Sequence, residues 1–97
     1  RGIVAVILTY HPEQGILRQA VASLCPQVDQ ILIVDNGARW DATGLLDGLK
    51  DADRNKIDFI WLERNIGVGA GHNRGIQWAR ARGFCFSRLA KARAPLA

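Results

Sequence analysis

The most constraining feature of this chain is an uninterrupted apolar segment that ends in a carboxylate, an amide and a glycine. Residues 31–34 have the sequence Ile-Leu-Ile-Val, and Asp35, Asn36 and Gly37 follow them directly. Such a run predicts a strand buried on both faces, as in a parallel sheet. Because a carboxylate inside the sheet would be costly, we expect Asp35 at the strand's carboxyl end, facing a crevice. Ligands of open α/β sheets bind at this edge.

The same polar residues also suit a purely local role. Asp35 and Asn36 can form an Asx-turn or cap the next helix, because short polar side chains hydrogen-bond to the backbone nearby. On spacing alone, the local role and a ligand-binding role carry equal weight. Gly37 predicts an immediate change of chain direction, since glycine tolerates positive φ.

Length and charge narrow the class of protein. The chain has 97 residues, enough for one small domain, and 48% of them are hydrophobic. No apolar run approaches the ~18 residues that span a bilayer, so we expect no transmembrane segment. The net charge is +4, but Arg88, Lys91 and Arg93 lie in an acid-free carboxyl-terminal segment, and the rest is nearly neutral. We therefore expect no nucleic-acid binding.

The two cysteines indicate a reducing compartment. Cys25 and Cys85 are isolated in the sequence and lack the spacing of metal ligands. We expect two buried, reduced thiols in a cytoplasmic protein.

Apolar runs and helical periodicities alternate along the chain. This alternation predicts an α/β domain with helices on both faces of a mainly parallel sheet, a three-layer α/β/α architecture over residues 1–86. Residues 51–56 are expected to form a polar loop, and residues 87–97 a basic, alanine-rich tail that is disordered or loosely helical. Strands are predicted over 2–9, 29–34 and 56–62, with a fourth beginning at 84–86, and helices over 12–24, 41–50 and 68–82.

The last predicted helix contains an unusual number of glycines. Gly71 and Gly75 each cost roughly 1 kcal/mol relative to alanine inside a helix, which indicates either a close backbone approach or a late helix start. Gly83 is a natural helix terminator. The apolar stripe of this helix is predicted to be Val68, His72, Ile76 and Ala79.

Polar side chains follow each of the first three predicted strands. An aromatic ring, a carboxylate and amides suit a planar nucleobase, because Tyr10 could stack on it and Asp35 could accept its imide N–H. Arg64 or His72 could meet phosphate charge, although a lone cation is also common on a solvated surface. The residues at these strand ends are Thr9, Tyr10 and His11, then Asp35 and Asn36, then Arg64 and Asn65.

Three other nucleotide or phosphate motifs fit poorly. The glycines of residues 67–71 miss the sixth position of a dinucleotide fingerprint, where His72 stands, and no acid follows about 20 residues later. No P-loop sequence occurs. A phosphoacceptor role for Asp35 would need further acids after the first strand, and Glu13 is the only one nearby.

Four segments together resemble a known family, the family 2 glycosyltransferases, and among them the bacterial rhamnosyltransferases most. Each motif is weak alone, but their order and spacing are fairly specific, and the similarity covers residues 2–86. The segments are VAVILTY at 4–10, IVDNG at 33–37, NIG at 65–67 and NRGI at 73–76.

The resemblance implies the amino-terminal, nucleotide-binding part of a GT-A fold. It implies transfer of a sugar, rhamnose from dTDP-rhamnose, to a glycan or lipid-linked acceptor with inversion. Thr9 and Tyr10 match the family's contacts to the base, and Asp35 matches the carboxylate that recognises its imide. Asn65 and Gly67 match the loop near the ribose and phosphates.

Two departures from the family bear on catalysis. His72 stands where many members carry arginine before the asparagine, here Asn73. The family follows its fourth strand with an Asp-x-Asp motif that holds Mg²⁺ or Mn²⁺, whereas this chain has no acid after Glu63. The family's catalytic base also lies further along.

We therefore expect a catalytically incomplete donor-binding portion that is inactive alone. It should hold no metal firmly and supply no catalytic residue, and Mg²⁺ or Mn²⁺ should act in the complete enzyme. An exposed sheet edge should favour self-association. A lipid-linked acceptor would bring the protein to the inner face of the membrane. The alternative is a non-catalytic, flavodoxin-like module that binds a nucleotide or a partner.

Overall fold

The computed structural model describes residues 2–84 and the backbone of residues 89–93. Strands and helices alternate along these residues, and a short 3-10 turn at Cys25–Gln27 follows the first helix. The α/β class predicted from the sequence is confirmed. The strands are β1 (Val4–Thr9), β2 (Gln30–Asp35), β3 (Ile57–Trp61) and β4 (Leu89–Arg93); the helices are α1 (Gln14–Leu24), α2 (Thr43–Asp47), α3 (Asp51–Arg54) and α4 (Val68–Ala81).

All four strands are parallel and lie in the order β3-β2-β1-β4. The register places Thr9 beside Asp35 and Asp35 beside Trp61, so three strands end at one edge of the sheet. A flavodoxin-like sheet would place β3 beside β1, whereas β3 lies beyond β2 here. The flavodoxin-like alternative is therefore wrong in its topology.

The central strands are buried on both faces, as their continuous apolar sequences predict. Alternate side chains point into two separate cores, because successive residues of a strand face opposite sides. One core lies under α1 and α2, and the other under α4. The first core contains Ala5, Ile7, Ile31 and Ile33 with Leu17, Val21 and Leu45; the second contains Val6, Leu8, Leu32 and Val34.

Helix α1 begins at a charged cap. The Glu13 carboxylate accepts hydrogen bonds from the backbone N–H groups of Ile16 (2.9 Å) and Gly15 (3.1 Å). Leu17 and Val21 face the core, whereas Ile16 is 45% exposed because it lies about 100° around the helix from Leu17.

The cap makes the stability of α1 dependent on pH. Hydrogen bonds from Ile16 and Gly15 lower the pKa of Glu13 below its ordinary value of 4.5. Its contribution is therefore present above that value and lost as the pH falls through the lower, folded-state pKa. We expect Glu13→Gln to reduce the free energy of unfolding at neutral pH and to match the wild type in strong acid. Urea unfolding at several pH values measures this difference.

Glu63→Gln is the matched control, because Glu63 is exposed and caps no helix. Any difference in the free energy of unfolding between Glu63→Gln and the wild type should not disappear in acid, as the difference for Glu13→Gln should. A constant difference between Glu13→Gln and the wild type at every pH would contradict the charged-cap role.

Helix α4 packs on the sheet mainly through glycine, and Ala79 is the one member of the predicted stripe that is fully buried. The side facing the sheet contains Gly71, Gly75 and Ala79, whereas Val68 is 41% exposed. A Cβ atom at Gly71 would lie 2.6 Å from Leu8 Cδ1, and one at Gly75 would overlap Val6 Cγ1. The glycines thus mark a close backbone approach, one of the two explanations given by the sequence.

We expect Gly75→Ala to lower the free energy of unfolding by about 1–3 kcal/mol, because its methyl group overlaps a stiff, buried valine. Gly69→Ala in the same helix is the control, since nothing lies within 4 Å of a Cβ atom there. It should be neutral or slightly stabilising. Urea denaturation measures both variants, and equal losses of stability would contradict the packing argument.

Two predicted coil regions contain regular structure. Residues 51–54 form a single helical turn, with Asp51 in its first turn and Arg54 at its end, where these charges complement the helix dipole. The fourth strand that the structure describes lies at Leu89–Arg93 and pairs with β1, and most of the predicted start at 84–86 falls outside the described residues. The expectation of a disordered or helical tail is therefore wrong there, because pairing with an open edge outweighs local propensity. Residues 85–88 and 94–97 lie outside the described part.

Four further expectations concern the end of α4, the thiols, membrane spanning and self-association. Gly83, at φ +86°, ends α4 as predicted, and the Phe84 N–H donates to the Ala79 carbonyl. Cys25 is buried, which raises the pKa of its thiol, and Cys85 falls outside the described residues. None of the helices in the described segments combines the length and apolarity that crossing a bilayer requires. Self-association through the β3 edge stays a prediction for sedimentation velocity.

Candidate functional site

Asn36 joins the end of β2 to the end of β1 and to the loop that follows β3. Its backbone N–H donates to the Thr9 carbonyl at 2.8 Å, which joins the ends of β2 and β1. Its side-chain oxygen accepts from Ile66 N–H at 3.0 Å, and its side-chain nitrogen donates to the Gly67 carbonyl at 3.2 Å. The residue is only 3% exposed. Asn36 therefore positions the loop between β3 and α4 and is not an open ligand contact.

Gly37 allows the same two loops to touch. It adopts φ +98°, a region that side chains disfavour, and a Cβ atom there would lie 2.5 Å from the Asn65 nitrogen. The immediate turn predicted after the second strand is confirmed. The backbone of residues 64–65 thus lies directly against the turn that follows Asp35.

The Asp35 carboxylate is fully buried and accepts two backbone hydrogen bonds. Oδ1 accepts from Ala38 N–H at 3.2 Å, and Oδ2 accepts from Arg39 N–H at 2.7 Å. The local role that the sequence allowed is therefore present. The expectation that this carboxylate faces an open crevice is wrong, because the turn over residues 37–39 covers it. Recognition of a base imide by Asp35 stays a prediction.

An aromatic cluster that the sequence analysis missed supports this turn. Trp40 Nε1 donates to the Thr9 hydroxyl oxygen at 3.0 Å, and Thr9 is 1% exposed. The Trp40 ring lies 5.5 Å from that of Trp61, which stacks on Phe59 at 4.9 Å. The sequence signal was available, because Phe59 and Trp61 alternate along the third strand and share one face.

The two residues after β1 are exposed. The Tyr10 ring is 36% exposed and meets the His11 ring edge-on, with centroids 4.5 Å apart. His11 adopts φ +49°, so the chain turns sharply before the buried Pro12. Tyr10 thus offers an aromatic face at the same edge as Thr9 and Asp35, as stacking on a base would require.

The beginning of α4 lies at this edge and is open. No side chain caps the helix, and nothing lies within 4 Å of a Cβ atom at Gly67 or Gly69. The Asn65 side-chain oxygen accepts from Gly67 N–H at 2.8 Å and shapes the turn before the helix. A helix N-terminus with free N–H groups favours anions such as phosphate.

The remaining predicted residues lie on α4 and in the loop before it. His72 is half-buried and Asn73 is exposed, both in the second turn of α4. Arg64 is exposed and, with Arg74, lines a cavity between β3 and α4. The structure therefore brings together Thr9, Tyr10, Asp35, Asn36, Asn65 and Gly67, and it places the backbone of Arg64 against Gly37.

The residue types needed for a metal site are scarce in the described part of the chain. No group of three His, Cys, Asp or Glu side chains there could hold a metal ion. The Asp35 oxygens already accept hydrogen bonds from two backbone amides. The described residues therefore do not fit the divalent cation that the family resemblance implies, and its placement elsewhere in a complete enzyme stays a prediction.

Comparison with known proteins decides the family. Residues 5–87 match the family described as glycosyl transferase family 2. The chain belongs to this family. It is also 35% identical over 83 residues to the dTDP-rhamnosyl transferase RfbF of Shigella flexneri, a match covering 84% of this chain and 26% of that protein. This member of the family thus spans about a quarter of the relative's length. Comparison with solved structures gives no match.

The hydrogen bond between Trp40 and Thr9 should couple the turn to β1. We expect Trp40→Phe and Thr9→Val each to lower the free energy of unfolding, because each removes the hydrogen bond between Trp40 and Thr9. The Thr9 hydroxyl keeps its bond to the Val34 carbonyl in Trp40→Phe, so the loss there should be the smaller one. In the double variant the loss should fall short of the sum by about 1 kcal/mol. Urea denaturation of the four proteins measures this coupling, and additive losses would contradict it.

Proposed function

We propose that this chain is the nucleotide-sugar-binding portion of a glycosyltransferase whose donor is dTDP-rhamnose. Family membership supports sugar transfer, and the name of the Shigella flexneri relative supports this donor. The observation that carries the proposal is the pair of hydrogen bonds by which Asn36 holds the β3–α4 loop against the end of β2. They gather an aromatic ring, a carboxylate and a helix N-terminus at one sheet edge.

In this proposal the base stacks on Tyr10 and its imide N–H donates to Asp35. Because the carboxylate is covered, the imide displaces a backbone amide from it. The Ala38 N–H, at 3.2 Å, forms the longer of the two bonds and is the one that yields. The diphosphate then lies at the uncapped beginning of α4, beside Gly67, where backbone N–H groups and the helix dipole favour negative charge.

The acceptor in this proposal is a glycan or a lipid-linked glycan, and transfer inverts the anomeric centre. Mg²⁺ or Mn²⁺ and the catalytic base come from other parts of the complete enzyme. Charge on a leaving diphosphate needs such stabilisation, so this chain alone should bind the donor without transferring the sugar.

We expect dTDP to bind at the strand ends and N3-methyl-dTDP to bind about tenfold more weakly or worse. Methylation removes the imide donor and leaves the protein unchanged, so the comparison isolates the hydrogen bond. NMR titration, with and without Mg²⁺, measures both affinities. Shifts should centre on Tyr10, Asp35 and Asn65. No response at millimolar dTDP would contradict the proposed function.

Asp35→Asn should weaken dTDP binding and reduce the difference in affinity between dTDP and N3-methyl-dTDP. Because Asp35 also accepts bonds from Ala38 and Arg39, the free energy of unfolding is measured on the same samples. A folded variant that still distinguishes the ligands tenfold would exclude Asp35 as the group that recognises the imide.

A further inference from the structure

Asn36 is followed directly by glycine, and no other asparagine of this chain is. An asparagine in this setting is prone to lose its side-chain amide, because glycine has no side chain to shield the backbone nitrogen that attacks it and lets the chain bend freely. Within the described part of the chain the Gly37 N–H donates to no partner. The pair therefore combines a reactive amide with an available nucleophile.

Folding opposes this reaction at Asn36. The residue is 3% exposed, its Oδ1 accepts from Ile66 N–H at 3.0 Å, and its Nδ2 donates to the Gly67 carbonyl at 3.2 Å. These bonds direct the side-chain amide at the β3–α4 loop, so it must leave the loop before its carbon can meet the Gly37 nitrogen. Two hydrogen bonds of ordinary strength favour the closed loop by about ten- to hundredfold.

We propose that Asn36 is a deamidation site that reacts when the β3–α4 loop opens. The Gly37 nitrogen then attacks the Asn36 Cγ atom. The N–Cγ bond forms, the Cγ–Nδ2 bond breaks, and Nδ2 leaves as ammonia with the proton that the Gly37 nitrogen loses. Water opens the resulting cyclic imide at either of its carbonyls, which yields aspartate or isoaspartate. Water is the one further reactant that the sequence of steps requires.

The products cannot restore the original contacts. An aspartate at this position accepts from Ile66 N–H but has no proton to donate to the Gly67 carbonyl. Isoaspartate in addition lengthens the backbone at the residue whose N–H joins β2 to β1. The loop, and with it the beginning of α4, then loses the residue that positions it. Loss of nucleotide binding after deamidation is the consequence that rests on the proposed function.

The first experiment measures deamidation of each asparagine in the whole chain, folded and in concentrated urea, by peptide mapping with mass spectrometry. In urea, Asn36 should react faster than Asn55, Asn65 and Asn73, which are exposed and precede larger residues. Folding should slow the reaction of Asn36 about ten- to hundredfold and that of the three exposed asparagines far less. Equal rates at all four positions in urea, or a rate at Asn36 that folding leaves unchanged, would overturn the proposal.

A pair of variants tests whether the loop controls the reaction. Asn65→Ala removes the hydrogen bond from Gly67 N–H that shapes the turn before α4. It should speed deamidation of Asn36 about two- to tenfold in the folded protein and leave the rate in urea unchanged. Asn55→Ala, an exposed position after α3, is the matched control and should change neither rate. Equal rates in the two variants, or an acceleration that only follows a loss of global stability in urea denaturation, would contradict control by the loop.

Nucleotide binding supplies a third test. Because dTDP in the proposed site is held by the closed loop, dTDP at ten times its Kd should slow deamidation of the folded chain about tenfold and have no effect in urea. Binding of dTDP in the NMR titration without a slower reaction would overturn the proposal. If dTDP does not bind at all, the proposed function fails, and the comparison of Asn65→Ala with Asn55→Ala decides the deamidation proposal by itself.

Discussion

The buried side-chain amide of Asn36 holds the functional edge of this domain together. Its oxygen satisfies the Ile66 N–H, and its nitrogen adds a second hydrogen bond to the Gly67 carbonyl, which also accepts from Gly71 N–H. An aspartate could accept from Ile66 but could not donate to Gly67, and leucine could do neither. An unpaired Ile66 N–H would cost about 1–3 kcal/mol, so few side chains can occupy this position. The loop, and with it the start of α4, takes its place from this residue.

The second determinant of the site is the short distance between α4 and the sheet. Gly71 and Gly75 let the helix approach Leu8 and Val6 more closely than any side chain would permit. The helix axis, and therefore its open N-terminus, is fixed relative to the end of β1. The low helix propensity of glycine is the accompanying cost. Packing against the buried strands supplies the stability that the helix sequence lacks.

Much of the fold could be predicted because the decisive signals are local. The apolar runs of β1 and β2 and the glycine after α4, Gly83, each have a single physical meaning. What failed depended on neighbours far away in sequence. Strand β4 forms because β1 offers an open edge, and its own composition carries no strand signal.

The candidate site, like the fold, could be predicted from the sequence only in part. Its residues were found because the carboxyl ends of parallel strands meet at one edge. The sequence could not show that Asp35 is covered by the Ala38–Arg39 backbone, since that depends on the path of the turn. Nor could it show that Arg64 lies with Arg74, because the two are brought together only by the packing of α4 on the sheet. Spacing along the sequence predicts which residues lie close together, whereas the direction of each side chain depends on tertiary contacts.

The position of β1 in the middle of the sheet has a consequence for biosynthesis. Val4 pairs with Leu89, so β1 obtains its second neighbour only after β2 and β3 have been made. At typical translation speeds that interval is roughly 4–17 s. During this time an apolar strand has one unpaired side. Nascent chains of this kind are natural clients for chaperones that bind extended hydrophobic segments.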